Sequence, residues 1–235
     1  MGLCQFQRKS RGIILKNILN KVHSSAVMKR RVRVLAQALA EMFDSAGTVL
    51  DVGCGDGTVA LSIEKLKPAL EFSGVDVFLR PTVAIPAIVY DGKRIPYEDE
   101  AFDYAMIVDV LHHTDDPAAV LAECMRVTRK GVVIKDHLAE GFAARPILRF
   151  MDWVGNRGHN VRLPYNYLDK EEWRRVFKQI GSQEINAKVK LGLYPAPFGY
   201  LFDRSLHFVA RIDETRRSNA VNAVSKNTGI FDHPE

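Results

Sequence analysis

Short strand-like runs alternate along the chain with segments in which apolar residues recur every three or four positions. The runs begin at Thr48, Glu71, Ala87, Tyr104 and Val132. The Tyr104 run carries five apolar residues in a row, as is typical of a strand that is covered on both faces. The stretch between the first two runs has helical spacing. The pattern therefore predicts an α/β domain.

Capping residues mark two helix starts further along the chain. Asp116 followed by Pro117 predicts a helix that begins there, because an acid suits the cap and proline suits the first turn. Asp169 with Glu172 is an acidic variant of the capping box and predicts a second helix, which Gly181 would close.

A glycine turn follows the first strand. Gly53, Gly55 and Gly57 have no Cβ, so a ligand can lie against the backbone and meet N–H groups at a helix N-terminus. The dinucleotide fingerprint needs a glycine or alanine where this chain has Thr58. Asp76 closes the second strand and can accept hydrogen bonds from a ribose. The spacing predicts a nucleoside ligand without a pyrophosphate.

Four motifs occur in the order in which a known family has them. They are Val49–Gly57, Val75–Val77, Ile95–Asp103 and Val108–Pro117. With these motifs the chain resembles the class I S-adenosylmethionine-dependent methyltransferases, in their small-molecule, type 11-like branch. The resemblance implies a doubly wound, Rossmann-like α/β fold with a seven-stranded, mostly parallel sheet and helices on both faces. Ile185–Leu191 and Leu206–Ile212 would form its terminal antiparallel pair.

The resemblance also implies S-adenosyl-L-methionine as the cofactor. Asp51 and Gly53 would hold its methionine end, and Asp76 its ribose. Asp91 falls where the family often places a carboxylate near the adenine, although an Asp before Gly92 is also a common turn residue. The expected cofactor-binding residues are Asp51, Gly53, Gly55, Asp76, Val77, Asp91 and Asp109.

A histidine pair lies at the end of the fourth strand, where open α/β sheets bind ligands. His112 and His113 should point in opposite directions on an extended chain, and no set of Asp, Glu or His at ligand spacing stands beside them in the sequence. We therefore expect no metal. By its place in the family pattern His113 should face the cofactor or acceptor, and we expect His112 to be structural.

His137 is a second candidate for the catalytic base, together with His113. A histidine has an unperturbed pKa of about 6.5, which suits proton transfer near neutral pH. A base helps only where the acceptor is a hydroxyl or a protonated amine. Lys135, Asp136 and His137 have an equally good explanation as a polar strand exit.

The family pattern lapses between residues 138 and 168. Apolar residues up to Trp153 predict a helix, for which packing alone is a sufficient explanation. The aromatic and glycine residues that follow favour a mobile cover over the acceptor. Trp153, Tyr165 and Tyr167 are the expected substrate-binding residues, and the aromatic content favours a small apolar or aromatic acceptor.

The net charge of +5 is unevenly distributed, because the first 40 residues carry nine Lys or Arg and no acid. Two amphipathic stripes run through Ile14–Val22 and Met28–Met42. We expect basic N-terminal helices over 1–46, a catalytic domain over 47–212 and a polar tail over 213–235. The basic arm would cap the nucleotide site; an anionic membrane surface, nucleic acid or a transit peptide are the alternatives.

Cys4, Cys54 and Cys124 are too far apart to form a Cys-x-x-Cys pair and favour a reducing, cytoplasmic location, with peripheral membrane contact through the arm as an option. The expected activity is methyl transfer to a small acceptor. Two alternatives stay open: a nucleic-acid methyltransferase, although no Asn-Pro-Pro-Tyr-type motif follows the fourth strand, and a cofactor-binding protein without activity. The sequence indicates no oligomeric state.

Overall fold

The computed structural model describes residues 28–44, 46–156, 164–197 and 199–214. They form one seven-stranded sheet with helices on both faces. The strands are β1 (Gly47–Val52), β2 (Leu70–Asp76), β3 (Ala87–Val89), β4 (Tyr104–Val108), β5 (Val132–His137), β6 (Ser182–Val189) and β7 (His207–Glu214). The helices are α1 (28–40), α2 (Thr58–Leu66), α3 (Pro117–Arg126), α4 (Ala144–Asn156), α5 (Lys170–Gln179) and α6 (Gly199–Phe202), with a 3₁₀ turn at Leu111–His113.

The strand order is β3-β2-β1-β4-β5-β7-β6. The pairings among β1 to β5 are parallel, and β7 is antiparallel to both of its neighbours. The order reverses between β1 and β4, and ligands of open α/β sheets bind at the carboxyl ends of strands next to such a reversal. The predicted doubly wound fold with a terminal antiparallel pair is confirmed.

Two apolar layers cover the two faces of the sheet. On one face α1 and α2 contribute Leu39 and Ile63, both fully buried. On the other face α3 and α5 contribute Leu121 and Trp173, also buried. Because β4 lies between these layers, its first four residues are buried, which explains its continuous apolar run.

The two predicted helix starts are confirmed. The Asp116 carboxylate accepts a hydrogen bond from the Ala119 N–H at 3.0 Å, with Pro117 at the first helical position. At α5 the Asp169 carboxylate accepts from the Glu172 N–H at 2.9 Å, and the Glu172 carboxylate accepts from the Asp169 N–H at 2.8 Å. These bonds satisfy N–H groups that have no partner within the helix.

Strand β5 is longer than the sequence predicts. The apolar pattern predicts that Lys135, Asp136 and His137 leave the strand after Ile134, but they continue it and pair with β7 as far as His207. All six residues of β5 are buried. The apolar run is shorter than the strand, because the polar side chains of this strand are paired with other groups inside the protein.

The terminal strands are shifted from their predicted positions. β6 spans Ser182–Val189 rather than Ile185–Leu191, with an irregularity between Glu184 and Asn186. β7 continues past Ile212 to the end of the described chain.

Part of the predicted basic arm is described. Residues 28–40 form α1 along the second amphipathic stripe, whereas the first stripe, Ile14–Val22, lies outside the described residues, as does the chain beyond residue 214. Within the described part, every helix is too short or too polar to cross a membrane.

Candidate functional site

The glycine turn joins β1 to α2 where the strand order reverses. Gly53, Gly55 and Gly57 have φ angles of 75°, 57° and 70°, in the left-handed region that favours glycine. A Cβ on Gly53 would overlap the side chain of Val110, so the turn lies directly against the segment that follows β4. A Cβ on Gly55 would meet nothing within 4 Å, which leaves room for a ligand against the backbone.

Two carboxylates border the glycine turn. Asp76, at the end of β2, accepts hydrogen bonds from the Gly55 N–H at 2.8 Å and the Phe78 N–H at 3.1 Å. Asp51 is only 3% exposed. Its burial, together with the negative charges of Asp76 and Asp56, raises the pKa of Asp51 to about 7. A cationic ligand group beside Asp51 would favour its ionised form.

The other predicted cofactor residues of this edge are Val77 and Asp91. Val77 follows β2 and is 60% exposed. The Asp91 carboxylate accepts hydrogen bonds from the Lys93 and Arg94 N–H groups at 2.8 and 2.9 Å, and these bonds lower its pKa. This is the geometry of a turn residue, and contact of Asp91 with an adenine stays a prediction.

A cleft of about 690 Å³ lies beside the glycine turn, with α1 and α2 among its walls. This volume is within the range of small-ligand sites, roughly 300–1,000 Å³. Its charged lining residues are Lys29, Arg31, Arg33, Asp56, Lys65 and Asp109. Helix α1, which carries the second amphipathic stripe of the basic arm, therefore lines a ligand-sized space next to the turn.

Asp109 connects this cleft to a buried polar region. Its carboxylate forms ion pairs with Arg31 of α1, at 3.0 Å, and with Lys135 of β5, which is fully buried. Burial alone would raise the pKa of Asp109, but the two cations overcome that effect and hold the pKa well below its usual range. Both oxygens of Asp109 thus contact cations of the protein itself, and a role of Asp109 in cofactor binding stays a prediction.

Beyond Asp109 lies a group of side chains that we call the histidine cluster: His112, His113, His137, Asp136 and Asp152. The ring of His112 lies 4.0 Å from that of His113 and 4.5 Å from that of His137, measured between centroids. The 3₁₀ turn after β4, the end of β5 and α4 supply these residues. His113 and His137, the two histidines that the sequence predicts as catalytic, therefore both pack against His112.

His112 is the most tightly held member of the histidine cluster. Its Nδ1 lies 2.7 Å from Oδ1 of Asp136, and the other oxygen of Asp136 accepts a hydrogen bond from the Leu111 N–H at 3.0 Å. Burial lowers the pKa of His112, but the charges of Asp136 and Asp152 outweigh burial and raise it to about 10.

The pKa values of the other two histidines are shifted in the opposite direction to that of His112. Burial and the neighbouring His112 lower the pKa of His113, and burial and Lys135 lower that of His137 well below its usual value. Both are therefore neutral at pH 7. The Nδ1 atoms of His113 and His137 are buried, and neither has a hydrogen-bond partner within the described residues.

Asp152 enters the histidine cluster from α4. Its Oδ1 lies 3.7 Å from Nε2 of His112 and 3.7 Å from Nε2 of His113. Its Oδ2 accepts a hydrogen bond from the Tyr167 hydroxyl at 2.9 Å. Folding therefore supplies an acid from a distant helix, which the sequence does not place at ligand spacing beside the histidine pair, and three donor atoms of His112, His113 and Asp152 lie within 4.8 Å of one another.

The predicted substrate-binding residues lie at different depths. Tyr167 is 1% exposed, and its ring stacks on that of His112 at 5.5 Å. The ring of Tyr165 lies 6.2 Å from that of Tyr167. Trp153 is 48% exposed. Tyr167 thus belongs to the wall of the histidine cluster, whereas Trp153 lies nearer to solvent.

Sequence reasoning missed Asp152 and gave His112 a structural role. One signal for Asp152 was available, because an acid one helical turn after Leu148 interrupts an otherwise apolar stripe. The pairing of His112 with Asp136 had no such signal, since it depends on the register between β4 and β5.

A family model described as a methyltransferase domain matches residues 27–185, more than half of the chain. The match contains both the glycine turn and the histidine cluster.

Two curated relatives are similar over part of their length. The demethylmenaquinone methyltransferase of Roseiflexus castenholzii is 31% identical over 119 residues, which cover 47% of this chain and 50% of the relative. The ubiquinone biosynthesis O-methyltransferase of Thiobacillus denitrificans is 33% identical over 95 residues, which cover 35% of this chain and 40% of the relative. The chain thus spans half or less of these relatives.

Among solved structures, the PH0226 protein of Pyrococcus horikoshii OT3 aligns with a TM-score of 0.59 and 18% sequence identity. The alignment covers 80% of this chain and 91% of that protein. At this level of identity the likeness shows a shared fold.

Proposed function

Because the chain belongs to the class I S-adenosylmethionine-dependent methyltransferases, we propose that it transfers the methyl group of S-adenosyl-L-methionine to a small apolar or aromatic acceptor by in-line displacement. The observation that carries this proposal is the contact between two halves of the site. Gly53 lies against Val110, and Val110 is two residues before His112. A cofactor on the glycine turn would thus lie beside the histidine cluster.

The residues on the cofactor side fit the proposed ligand. The turn offers open backbone at Gly55, Asp76 offers carboxylate oxygens to a ribose diol, and the buried Asp51 would favour a cationic methionine end. Val77 and Asp91 continue the same edge of the sheet. When bound, the sulfonium supplies a methyl group that is already activated.

On the acceptor side the chain has to orient the acceptor, exclude water and, for a hydroxyl acceptor, receive a proton. Positioning alone can contribute roughly 7–11 kcal/mol to catalysis. We assign proton acceptance to His113 or His137, since both are neutral at pH 7. Tyr165, Tyr167 and Trp153 would provide the aromatic wall that an apolar acceptor needs.

We also propose the domain division indicated by the sequence. Residues 1–46 would form the basic arm, of which α1 borders the cleft, and residues 138–168 would cover the acceptor. The polar tail would begin near residue 213. A cytoplasmic location, with peripheral contact to anionic membranes through the arm, follows from the same reasoning.

Calorimetric titration with S-adenosylmethionine and with its demethylated product tests the cofactor half of the proposal. Asp76→Ala should weaken binding about tenfold to a hundredfold, because a hydrogen bond to a charged group contributes about 1.5–3 kcal/mol. Asp76→Asn keeps an acceptor for the Gly55 N–H and separates loss of charge from damage to the turn. Glu71→Ala, at an exposed position of the same strand, is the matched control. Equal affinity of Asp76→Ala and the parent protein would remove Asp76 from the site.

The acceptor half is tested with radiolabelled S-adenosylmethionine and a cell extract separated by size and by solvent extraction. Label in the organic-extractable fraction supports a small apolar acceptor. Label only in RNA or DNA would instead indicate the nucleic-acid alternative, whose binding should weaken steeply with salt. Tight cofactor binding with no label transferred to any fraction would favour a protein that binds the cofactor without turnover.

A further inference from the structure

We propose that His112, His113 and Asp152 bind a divalent transition-metal ion of the kind that prefers imidazole and carboxylate ligands, such as Zn²⁺, Fe²⁺ or Mn²⁺. This inference concerns a binding site that methyl transfer to a small acceptor does not require. It rests on the geometry of the three donor atoms, on the partners that orient them and on the distribution of charge around them.

The donor atoms have suitable separations. Oδ1 of Asp152 lies 3.7 Å from Nε2 of His112 and from Nε2 of His113. Two ligands that each lie about 2.1 Å from a metal are roughly 3.4 Å apart at a tetrahedral angle and about 3.6 Å apart at 120°. Binding a metal would therefore require each Asp152–histidine pair to close by only a few tenths of an ångström, and the donor atoms of the two imidazoles lie within 4.8 Å of each other.

Two of the three ligands are already oriented by other side chains. Nδ1 of His112 lies 2.7 Å from Asp136, so a metal at Nε2 would complete a carboxylate–histidine–metal arrangement. The second oxygen of Asp152 accepts the Tyr167 hydroxyl, which directs the first oxygen towards the two imidazoles. Such outer partners fix the ring tautomer and the ligand geometry at metal sites.

The charges favour this set over a neighbouring one. Asp109, His112 and His137 also place three donor atoms close together. However, Asp109 already contacts Lys135 and Arg31, so a metal there would be repelled by two cations. Asp152 instead faces the two imidazoles. A metal at Nε2 of His112 would replace the proton that this nitrogen carries when His112 is charged, while Asp136 keeps the proton on Nδ1.

The set also has an accessible side. His112 and Asp152 have side chains that are only 2% and 4% exposed, but that of His113 is 18% exposed. Three protein ligands leave a coordination position for a water or a substrate oxygen, which is the arrangement of catalytic rather than structural metal sites. A metal with an acceptor hydroxyl bound in that open position would lower the pKa of that hydroxyl. Proton acceptance would then fall to His137, because His113 would be a metal ligand. This use of the metal rests on the proposed function, whereas metal binding itself does not.

The test uses the full chain, stripped with a chelator and then titrated with Zn²⁺ and with Co²⁺. We expect one equivalent of metal by elemental analysis after dialysis and a visible absorption spectrum of the bound Co²⁺. Asp152→Asn and His113→Ala should each weaken Co²⁺ binding at least tenfold. Asp116→Asn is the matched control, because it makes the same chemical change at a helix cap that accepts Asn equally well.

Circular dichroism of every variant, and calorimetry with the demethylated cofactor product, accompany the metal titrations. Folded Asp152→Asn and His113→Ala proteins that bind Co²⁺ as tightly as the parent protein would overturn the proposal, as would a parent protein that retains no stoichiometric metal. The cluster would then be a network in which protonated His112 pairs with Asp136 and Asp152. A parent protein that binds the cofactor product but no metal would reject the metal site alone. A parent protein that does not bind the cofactor product would reject the proposed function.

Discussion

Several residues at the carboxyl edge of the sheet are polar or charged although they are deeply buried. Lys135, Asp136 and His112 are at most 2% exposed, and each has a partner of opposite or complementary charge. Burying such groups is costly unless they are paired and hydrogen-bonded. Asp51 differs from them, because the charges nearest to it are those of other acids.

Asp51 should make stability fall as pH rises. Its folded-state pKa is raised to about 7 by burial, whereas an unfolded Asp titrates near 3.9. Between these values the folded state holds a proton that the unfolded state has released, so stability is lost as pH rises from about 4 to about 7. We expect thermal melts of the parent protein to show this slope and those of Asp51→Asn to show a smaller one.

The measurement is the difference in melting temperature between parent and variant at each pH, without ligand. The melting temperature of Asp51→Asn relative to the parent protein should increase with pH up to about pH 7 and then stay constant. A difference that does not change between pH 4 and 7 would contradict the burial argument. Added S-adenosylmethionine should reduce the pH dependence if its cationic end lies beside Asp51.

Residue identities predict the geometry of the glycine turn much better than that of the histidine cluster. Gly53, Gly55 and Gly57 lie within five residues of one another, so their spacing already predicts the turn. Asp76 comes 21 residues after Gly55, and the strand–helix–strand order returns it to the same edge of the sheet. The contacts of His112 with Asp136 and Asp152 join three elements that are far apart along the chain. Only the strand register and the placement of α4 bring these residues together.

Secondary-structure elements are predictable where the apolar pattern coincides with burial. β4 and α5 follow this rule, because β4 is covered on both faces and α5 has a capping box. β5 departs from it, since its last three residues are polar but buried. In β6 the irregularity between Glu184 and Asn186 changes which side chains face the core, which a regular alternation does not anticipate.

Helix α4 allows packing to be separated from a covering role. Leu148 is fully buried, whereas Trp153 lies on the same helix and is 48% exposed. Leu148→Ala should destabilise the protein by about 2–5 kcal/mol because it creates a cavity. Trp153→Ala should destabilise the protein much less than Leu148→Ala does, because about half of the Trp153 side chain is already exposed. If α4 covers the acceptor, Trp153→Ala should nevertheless reduce methyl transfer while cofactor affinity is unchanged.

Chemical denaturation gives the two stabilities, and transfer of label to the organic-extractable fraction gives the activity. Phe150→Ala, at another exposed position of α4, shows whether any lost aromatic ring has the same effect. Full activity of Trp153→Ala would leave α4 with a packing role only.

For the whole molecule, the basic arm is the part whose role the fold leaves open. α1 packs on the sheet through Leu35 and Leu39, and its Arg31 pairs with Asp109. If the arm has a structural role, deleting residues 1–25 should lower the melting temperature or the cofactor affinity, with or without lipid. Thermal melts and calorimetry measure both quantities.

Sedimentation of the full-length and truncated proteins with anionic and with neutral vesicles shows whether the arm binds an anionic membrane. A truncated protein that keeps its stability and cofactor affinity but no longer sediments with anionic vesicles would contradict the structural role. That result would support the membrane alternative, in which each basic residue near the surface contributes about 1 kcal/mol.

The position of β7 has a consequence for how the protein is made. β7 follows β6 in the chain but lies between β5 and β6, and among the described strands it is the only partner of β6. During synthesis, the edge of β5 therefore remains unpaired until residues 207–214 have left the ribosome. An unpaired buried strand is a site of aggregation in a nascent chain. Strand β7, the last of the described strands to emerge, thus completes both this sheet and the wall behind His137, so a chain that lacks β7 should depend on chaperones more than one that contains it.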